Sequence, residues 1–369
     1  MKHRFLILDI FRGIFASMVV LFHLSPFAET PLLNNDFVDN SDMFVDFFFV
    51  LSGFVISYNY QSIATGEQVT DFLRKRLRRI YPLHLLMLLA FVVVEISKGY
   101  LASYVHVNQP TNPNNNVFTF FTSLFLLNSV KMPGVTDVSW NIPSWSISAE
   151  MLAYIVFGLG MLLLAKTKLG RYKGFFYGSI ALLSFGGLAV ITQGFVLNYS
   201  FDYGFLRGII GFFVGGLCYE SFRYIYLVVS QWKSSVFDLA EILMLILIGL
   251  MIYYGAALKE VGFVYEFLFF GAILVFSFEK GWVSRLFKKS TFLEKVGTYS
   301  YSIYMTHSLL ISIFNILFIR ILKFPPSAYW YLVFANYYLI YKVSEWTYKN
   351  IEMRFKGGHK KISIKHVSE

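Results

Sequence analysis

The first apolar stretch of the chain, FRGIFASMVVLFH, contains two ionisable side chains, Arg12 and His23. On an α-helix this spacing places them about 20° apart around the axis and about 16 Å apart along it. Asp9 precedes Arg12 by one turn on nearly the same face and can pair with it. We interpret His23 as a general base and Arg12 as a cation deeper in the same helix. The alternative is a structural Asp–Arg pair with a histidine at the level of the lipid headgroups.

A carboxylate that could act with His23 occurs in the stretch PSWSISAE, which ends at Glu150. This stretch opens a later apolar segment at its outer end, at the depth predicted for His23. A carboxylate beside an imidazole fixes the imidazole tautomer and stabilises the imidazolium. We therefore predict that Glu150 orients His23. The alternative is an acid in a first helical turn, where the helix dipole favours it.

Basic residues cluster in the stretch RKRLRRIYP, residues 74–82. Arg76 and Arg79 share one face if this stretch is helical and could grip a pyrophosphate or a 3′-phosphate. The alternative is a cytoplasmic positive cluster that only sets topology. Arg207, in LRGIIGFFVGG, is a second intramembrane cation and a further candidate for cofactor binding. His307, in GTYSYSIYMTHSLL, is expected to be a buried histidine hydrogen-bonded to tyrosine.

The composition indicates how these residues are held. Of 369 residues 56% are hydrophobic and 15% charged, against about 45–50% and about 25% in soluble domains. This predicts an all-α integral membrane protein. In such a protein, lysine and arginine mark the cytoplasmic loops, so the net charge of +10 does not indicate nucleic-acid binding. The single cysteine, Cys218, excludes an intrachain disulfide, and no metal site is expected.

Ten apolar segments are long enough to span a bilayer. They lie at 5–24, 43–60, 81–98, 145–165, 175–195, 205–222, 236–256, 262–279, 299–319 and 328–346. A shorter piece, 117–127, is predicted to be re-entrant or interfacial. Because Arg12 interrupts the first segment and no cleavage site follows it, we expect a retained span and not a signal peptide.

Lysine and arginine counts predict the orientation. With the N-terminus inside, the inner segments carry 24 Lys and Arg residues and the outer segments carry 5. This bias alternates from loop to loop and predicts ten spans with both termini cytoplasmic. The expected organisation is one transmembrane domain, 1–355, followed by a short basic cytoplasmic tail, 356–369.

The order of these motifs resembles the acyltransferase-3 family of integral membrane acyltransferases over about residues 5–355. The most specific element is Arg-x10-His, present as Arg12 and His23. The others are FFFVLSGFVIS, Arg-x-x-Arg-Ile-x-Pro at Arg76 and Arg79, WSISAE ending at Glu150, LRGIIGFFVGG and SYSIYMTH. One departure is NIEMRF, where many members read Glu-x-Pro, so Glu352 receives no predicted role.

The resemblance implies transfer of an acyl group, usually acetyl from cytoplasmic acetyl-CoA, to a hydroxyl of a cell-surface or exported glycan or glycolipid. It suggests a bacterial inner membrane location and, for this chain, no fused esterase-like domain. His23 would be the base, Glu150 its orienting partner, and Arg76 and Arg79 the clamp for the CoA phosphates. Arg12 would stabilise either the donor arm or the helix packing. Direct transfer and a covalent acyl-histidine route both fit.

A transporter or flippase for a glycan or lipid is the main rival class, because intramembrane Arg and His also suit a substrate pathway. Two features weigh against it. The halves of the sequence show no internal repeat, which many transporters have. The inner arginines and the outer His and Glu also match an enzyme with two substrates.

Overall fold

The structure is a computed structural model that describes residues 3–101 and 112–355. The predicted tail at 356–369 lies outside this range. The described residues form helices and no strands, as predicted for an all-α membrane protein. The main helices are α1 Leu6–Leu24, α2 Phe44–Asn59, α3 Gly66–Leu101, α4 Val117–Leu124, α5 Ser144–Lys166, α6 Lys173–Thr192, α7 Gly204–Val229, α8 Ser234–Tyr253, α9 Val264–Phe276, α10 Thr291–Asn315 and α11 Tyr329–Thr347.

The predicted spans all coincide with helices in this described part. Eight helical segments are long and apolar enough to cross a membrane. The other two predicted spans correspond to α9, a shorter apolar helix of 13 residues, and to α11, which has 19 residues. The piece predicted as re-entrant forms the short helix α4. Short α- or 3₁₀-helical turns, such as Asp36–Asp39, Gly255–Leu258 and Trp282–Phe287, join the main helices.

The connections between helices group on two faces, as alternating spans require. On the face predicted to be outside, Asp42 contacts both Asn198 and Lys259, and the Glu29 amide donates to the Pro326 carbonyl. On the face predicted to be inside, salt bridges and hydrogen bonds join His3 to Glu279, Arg4 to Glu294, and Arg285 to Asp238. Each contact joins two segments assigned to the same side of the membrane.

The helix that carries the third predicted span is longer than that span. The span was predicted at 81–98, but α3 begins at Gly66 and continues to Leu101. Arginine, lysine and leucine are good helix formers, and nothing between Gly66 and Pro82 breaks the helix. Pro82 itself lies inside α3. Arg76 and Arg79 therefore project from a rigid helix that continues into the span.

Two pairs of helices approach so closely that only glycine fits between them. A Cβ atom on Gly13 of α1 would lie 2.5 Å from the backbone nitrogen of Gly297 on α10. A Cβ atom on Gly53 of α2 would lie 1.7 Å from the carbonyl oxygen of Phe212 on α7. Small residues at membrane helix crossings permit such approach. The crossing of α1 and α10 matters for function, because Arg12 and His23 lie on α1.

Helix α2 lies at the centre of the bundle. It packs against α1, α7 and α9, and most of its residues are buried. Its aromatic side chains form the core with those of its neighbours: Phe44 stacks on Phe15 with ring centroids 4.2 Å apart, and Phe54 meets Phe5 at 5.2 Å. These contacts fix the relative depth of α1 and α2, which run in opposite directions.

Candidate active site

Arg12 lies half-buried on α1 and is held by three groups. Its guanidinium is 3.2 Å from the Asp9 carboxylate, and its Nε donates to the Ser300 hydroxyl at 2.7 Å. Its Nη2 also donates to the Gly297 carbonyl oxygen at 3.3 Å. The predicted pairing of Asp9 with Arg12 is thus confirmed. Because two of these partners lie on α10, the arginine ties α1 to α10 at their glycine crossing.

A cavity of about 110 Å³ lies beside Arg12, between α1, α2, α3, α5 and α10. On α2 its lining runs from Val45 to Ile56, which is about 16 Å along a helix. The cavity is therefore an elongated passage through the bundle. Its polar lining residues are Arg12, Ser52, Arg76, Arg79, Ser146, Glu150, Tyr154, Ser300, Tyr301 and Tyr304.

Some basic residues of the 74–82 stretch line the cavity, and others are exposed to solvent. Arg76 and Arg79 line the cavity, whereas Arg74, Lys75 and Arg78 are exposed. Arg76 donates to the Tyr60 hydroxyl at 3.2 Å, and its Nε is buried without a partner among the described residues. This split separates the pair proposed to bind phosphate from the residues that fit a general positive charge.

The Arg79 guanidinium can still bind an anion in this cavity. Within the described ranges, no carboxylate lies within ion-pair distance of its guanidinium. Glu150 and Glu352 are nevertheless near enough to attract it. Together Arg76 and Arg79 present donors that a phosphate group could use.

Glu150 is not beside His23, in contrast to the prediction. Its carboxylate accepts hydrogen bonds from the Ser52 hydroxyl at 2.6 Å and from the Tyr154 hydroxyl at 2.5 Å, in the same cavity as Arg76 and Arg79. Ser52 lies on α2 near Phe54, which packs on Phe5. Glu150 is therefore level with the inner half of α1.

The depth of α5 explains this difference. Asn141, just before α5, donates to the Met305 carbonyl oxygen at 3.1 Å, and Ser146 donates to the Tyr304 hydroxyl at 3.0 Å. The helix thus begins inside the bundle, against the segment that follows α4, and not at the membrane surface. Hydropathy marks where an apolar segment begins but not how deep that point lies.

His23 instead contacts His307. Their rings meet edge to face, with centroids 5.0 Å apart and an interplanar angle of 88°. His307 is fully buried, and its ring also packs on Tyr304 at 5.8 Å. Since Tyr304 lines the cavity, the two imidazoles lie just beyond its outer end.

Both imidazoles are oriented by their own helices. Nδ1 of His23 is 3.2 Å from the Val19 carbonyl oxygen, and Nδ1 of His307 is 3.2 Å from the Ile303 carbonyl oxygen. A carbonyl oxygen only accepts, so each Nδ1 carries the hydrogen and each Nε2 keeps its basic lone pair. In the described part of the chain Nε2 of His307 has no partner. A backbone carbonyl thus fills the orienting role predicted for Glu150.

Arg207 does not line this cavity and lies far from Arg76. Its Nε and Nη2 donate to the two Asp46 oxygens at 2.6 and 2.9 Å, and its Nη1 donates to Asn198 at 2.8 Å. Asp46 lies near the start of α2 and Tyr60, the partner of Arg76, follows its end, which is about 21 Å apart along a helix. Arg207 therefore stabilises the bundle, and the structure does not bring it to the proposed phosphate site.

Sequence reasoning missed several lining residues. Tyr154 lies four residues after Glu150, and that helical spacing could have predicted the hydrogen bond between them. Ser52 and Tyr304 carried no signal of their own. Glu352, which received no predicted role, is buried and accepts a hydrogen bond from Ser302 at 2.5 Å.

This arrangement is that of an integral membrane protein with a charged internal cavity and a histidine pair at one end. The profile of the acyltransferase-3 family, described as an acyltransferase domain, matches residues 5–341. The chain belongs to this family. No solved structure matches the chain.

Two curated proteins are similar over part of the chain. Acyltransferase MdmB from Streptomyces mycarofaciens is 34% identical over 128 residues, which cover 34% of this chain and 30% of that protein. Protein 2 in picA locus from Rhizobium radiobacter is 27% identical over 161 residues, covering 42% of this chain and 81% of that protein. The match therefore spans less than a third of the Streptomyces protein.

The structural role of Arg207 can be tested by measuring the thermal stability of variants. Replacing Arg207 with Gln leaves the Asp46 carboxylate buried without its partner, and breaking a buried pair in this way costs about 3–5 kcal/mol. We expect a clearly lower melting temperature in detergent. The double variant Asp46→Asn/Arg207→Gln removes the stranded charge and should recover part of the loss.

Arg223→Gln is the matched control, because the Arg223–Glu220 pair has an exposed arginine and exposed pairs contribute little. Equal melting temperatures for Arg207→Gln and Arg223→Gln would contradict a structural role for Arg207.

Proposed function

We propose that the protein transfers an acyl group, acetyl in the simplest case, from acyl-CoA on the inner side of a bacterial cytoplasmic membrane to a hydroxyl of a cell-surface or exported glycan or glycolipid. The observation that carries this proposal is the position of the His23–His307 pair at the outer end of a cavity whose inner end holds Arg76 and Arg79. The family supports acyl-transfer chemistry and not transport.

The inner end of the cavity suits the phosphates of CoA. Arg76 and Arg79 present guanidinium donors that other side chains do not fully use, and a bidentate guanidinium matches the geometry of a phosphate. From there the cavity runs past Arg12 and Glu150 to Tyr304. A narrow, elongated passage of this kind suits an extended thiol-bearing arm, with the thioester at the histidine end.

The histidine pair provides the base for the reaction. The acceptor oxygen forms a bond to the thioester carbonyl carbon while the carbon–sulfur bond breaks. The hydroxyl proton passes to Nε2 of His23 and from there to the sulfur of CoA, so the histidine ends neutral. His23 is half-buried and His307 is fully buried. We therefore assign proton transfer to His23, and His307 restricts its ring and holds the site in place.

Glu150 has a different role in this scheme. It lies among Arg12, Arg76 and Arg79 and is fixed by Ser52 and Tyr154. A carboxylate among three guanidiniums offsets part of their charge when no donor is bound and orients their side chains. We propose that it positions the arginines and does not act on the imidazole.

The base is tested by His23→Ala. We expect acetyl transfer to fall by about 10²–10⁴-fold, the usual contribution of a general base. Purified protein in nanodiscs, radiolabelled acetyl-CoA and a membrane extract as acceptor source give the rate, and CoA binding measured in parallel should be retained. Near-normal transfer by His23→Ala would remove His23 from the mechanism.

The phosphate clamp is tested by Arg76→Gln/Arg79→Gln. Each lost charged hydrogen bond costs about 1.5–3 kcal/mol, so the apparent KM for acetyl-CoA should rise tenfold or more. The matched control is Arg74→Gln/Arg78→Gln, which removes the same charge from exposed positions on the same helix. An equal rise in KM for both pairs would show that α3 acts only through its general charge.

A further inference from the structure

A second cavity, of about 540 Å³, opens on the face predicted to be outside. It lies between the segment that follows α1 and the end of α10. Its lining includes Pro26, Glu29, Asn315, Arg320, Lys323 and Pro326. The Glu29 amide donates to the Pro326 carbonyl oxygen at 3.3 Å, which joins the two segments. We call this cavity the outer pocket.

The outer pocket lies next to the histidine pair. Pro26 is the third residue after His23, about 4.5 Å further along at helical rise. Asn315 is the eighth residue after His307 on α10, which is about 12 Å along the helix. The histidines therefore lie between the inner cavity and the outer pocket, on the two helices that carry both.

The basic residues on the outer face differ in whether a neighbouring side chain engages them, and this difference points to the outer pocket. Five cations were predicted outside, and three of them are engaged elsewhere. Lys98 pairs with Glu95 at 2.8 Å, Lys131 donates to the Tyr203 hydroxyl at 3.2 Å, and Lys259 pairs with Asp42 at 3.0 Å. The remaining two, Arg320 and Lys323, are exposed, line the outer pocket and have no ion-pair partner within the described ranges.

A buried donor also faces this pocket. Asn315 is 5% exposed, and its side-chain oxygen accepts a hydrogen bond from the Tyr329 hydroxyl. Its amide nitrogen is buried and has no partner in the part of the chain that the structure describes. A buried donor without an acceptor is costly. A ligand oxygen in the pocket would satisfy it.

We propose that the outer pocket binds the acceptor of the acyl group, and that this acceptor carries an anionic group, a phosphate or a carboxylate, near its reactive hydroxyl. This proposal rests on the proposed function. Arg320 and Lys323 bind the anionic group, and the Asn315 amide donates to an acceptor oxygen. Glu29 lines the same pocket and opposes the two cations. It therefore weakens binding of the anion.

The test compares sugars that differ in charge. Nanodisc-embedded protein receives radiolabelled acetyl-CoA with glucose, glucuronic acid or glucose 6-phosphate at equal concentration, and acetyl ester and free CoA are both measured. We expect the two charged sugars to be acetylated about tenfold faster than glucose, and the two arms distinguish carboxylate from phosphate. Arg320→Gln/Lys323→Gln should abolish this preference and Glu29→Gln should increase it, because charged hydrogen bonds are gained or lost.

Lys131→Gln is the control, since Lys131 is a predicted outer cation that does not line the pocket. Lys131 lines neither cavity, so basal release of CoA without acceptor should stay unchanged in Lys131→Gln. Equal use of all three sugars, or a preference that survives Arg320→Gln/Lys323→Gln, would overturn the inference. Absence of CoA release under every condition would instead overturn the proposed function.

A second measurement needs no turnover and covers the case in which small sugars are not accepted. Cysteine replaces Ile319, which lines the pocket, in a Cys218→Ser background. We expect an anionic methanethiosulfonate reagent to modify it about tenfold faster than a cationic one of similar size at low salt, with the difference lost in Arg320→Gln/Lys323→Gln. Equal or faster modification by the cationic reagent would show that the pocket does not select anions.

Discussion

The structure depends on the cost of placing an arginine in hydrocarbon, which is about 2.5–3.5 kcal/mol even on insertion scales. The chain meets this cost in two ways. Arg207 is fully compensated by Asp46 and Asn198 and leaves no donor for a ligand to use as its main contact. Arg12, Arg76 and Arg79 instead turn toward a shared cavity, where their charges are only partly balanced. The first arrangement stabilises the bundle, and the second provides a site.

The close crossing of α1 and α10 brings the polar side chains of the two helices into contact. Gly13 and Gly297 allow backbone contact, so Arg12 reaches Ser300 and His23 reaches His307 on the same pair of helices. The two imidazoles are oriented by backbone carbonyls of their own helices, which places the lone pair of each ring on Nε2. The groups proposed for proton transfer and for donor binding thus lie toward opposite ends of one cavity. Such a separation fits the proposed reaction, in which the two substrates come from opposite sides of a membrane.

The sequence predicted the parts of this account that depend on local pattern. Apolar length identified the spans, loop charge identified which connections share a face, and helical spacing predicted the pairing of Asp9 with Arg12. It could not predict depth: Glu150 was expected beside His23 because both lie near the ends of apolar segments, yet α5 begins inside the bundle. The contact between His23 and His307 joins residues 284 positions apart, and no periodicity reports such a contact.

The most direct test of the central claim is a cryo-electron microscopy structure of the protein in nanodiscs with a non-hydrolysable acetyl-CoA analogue. The account predicts that the CoA phosphates contact Arg76 and Arg79, that the thiol-bearing arm passes Arg12, and that the acyl group lies between Tyr304 and the His23–His307 pair. Phosphates bound away from both arginines, or an acyl group that does not reach the histidines, would contradict it.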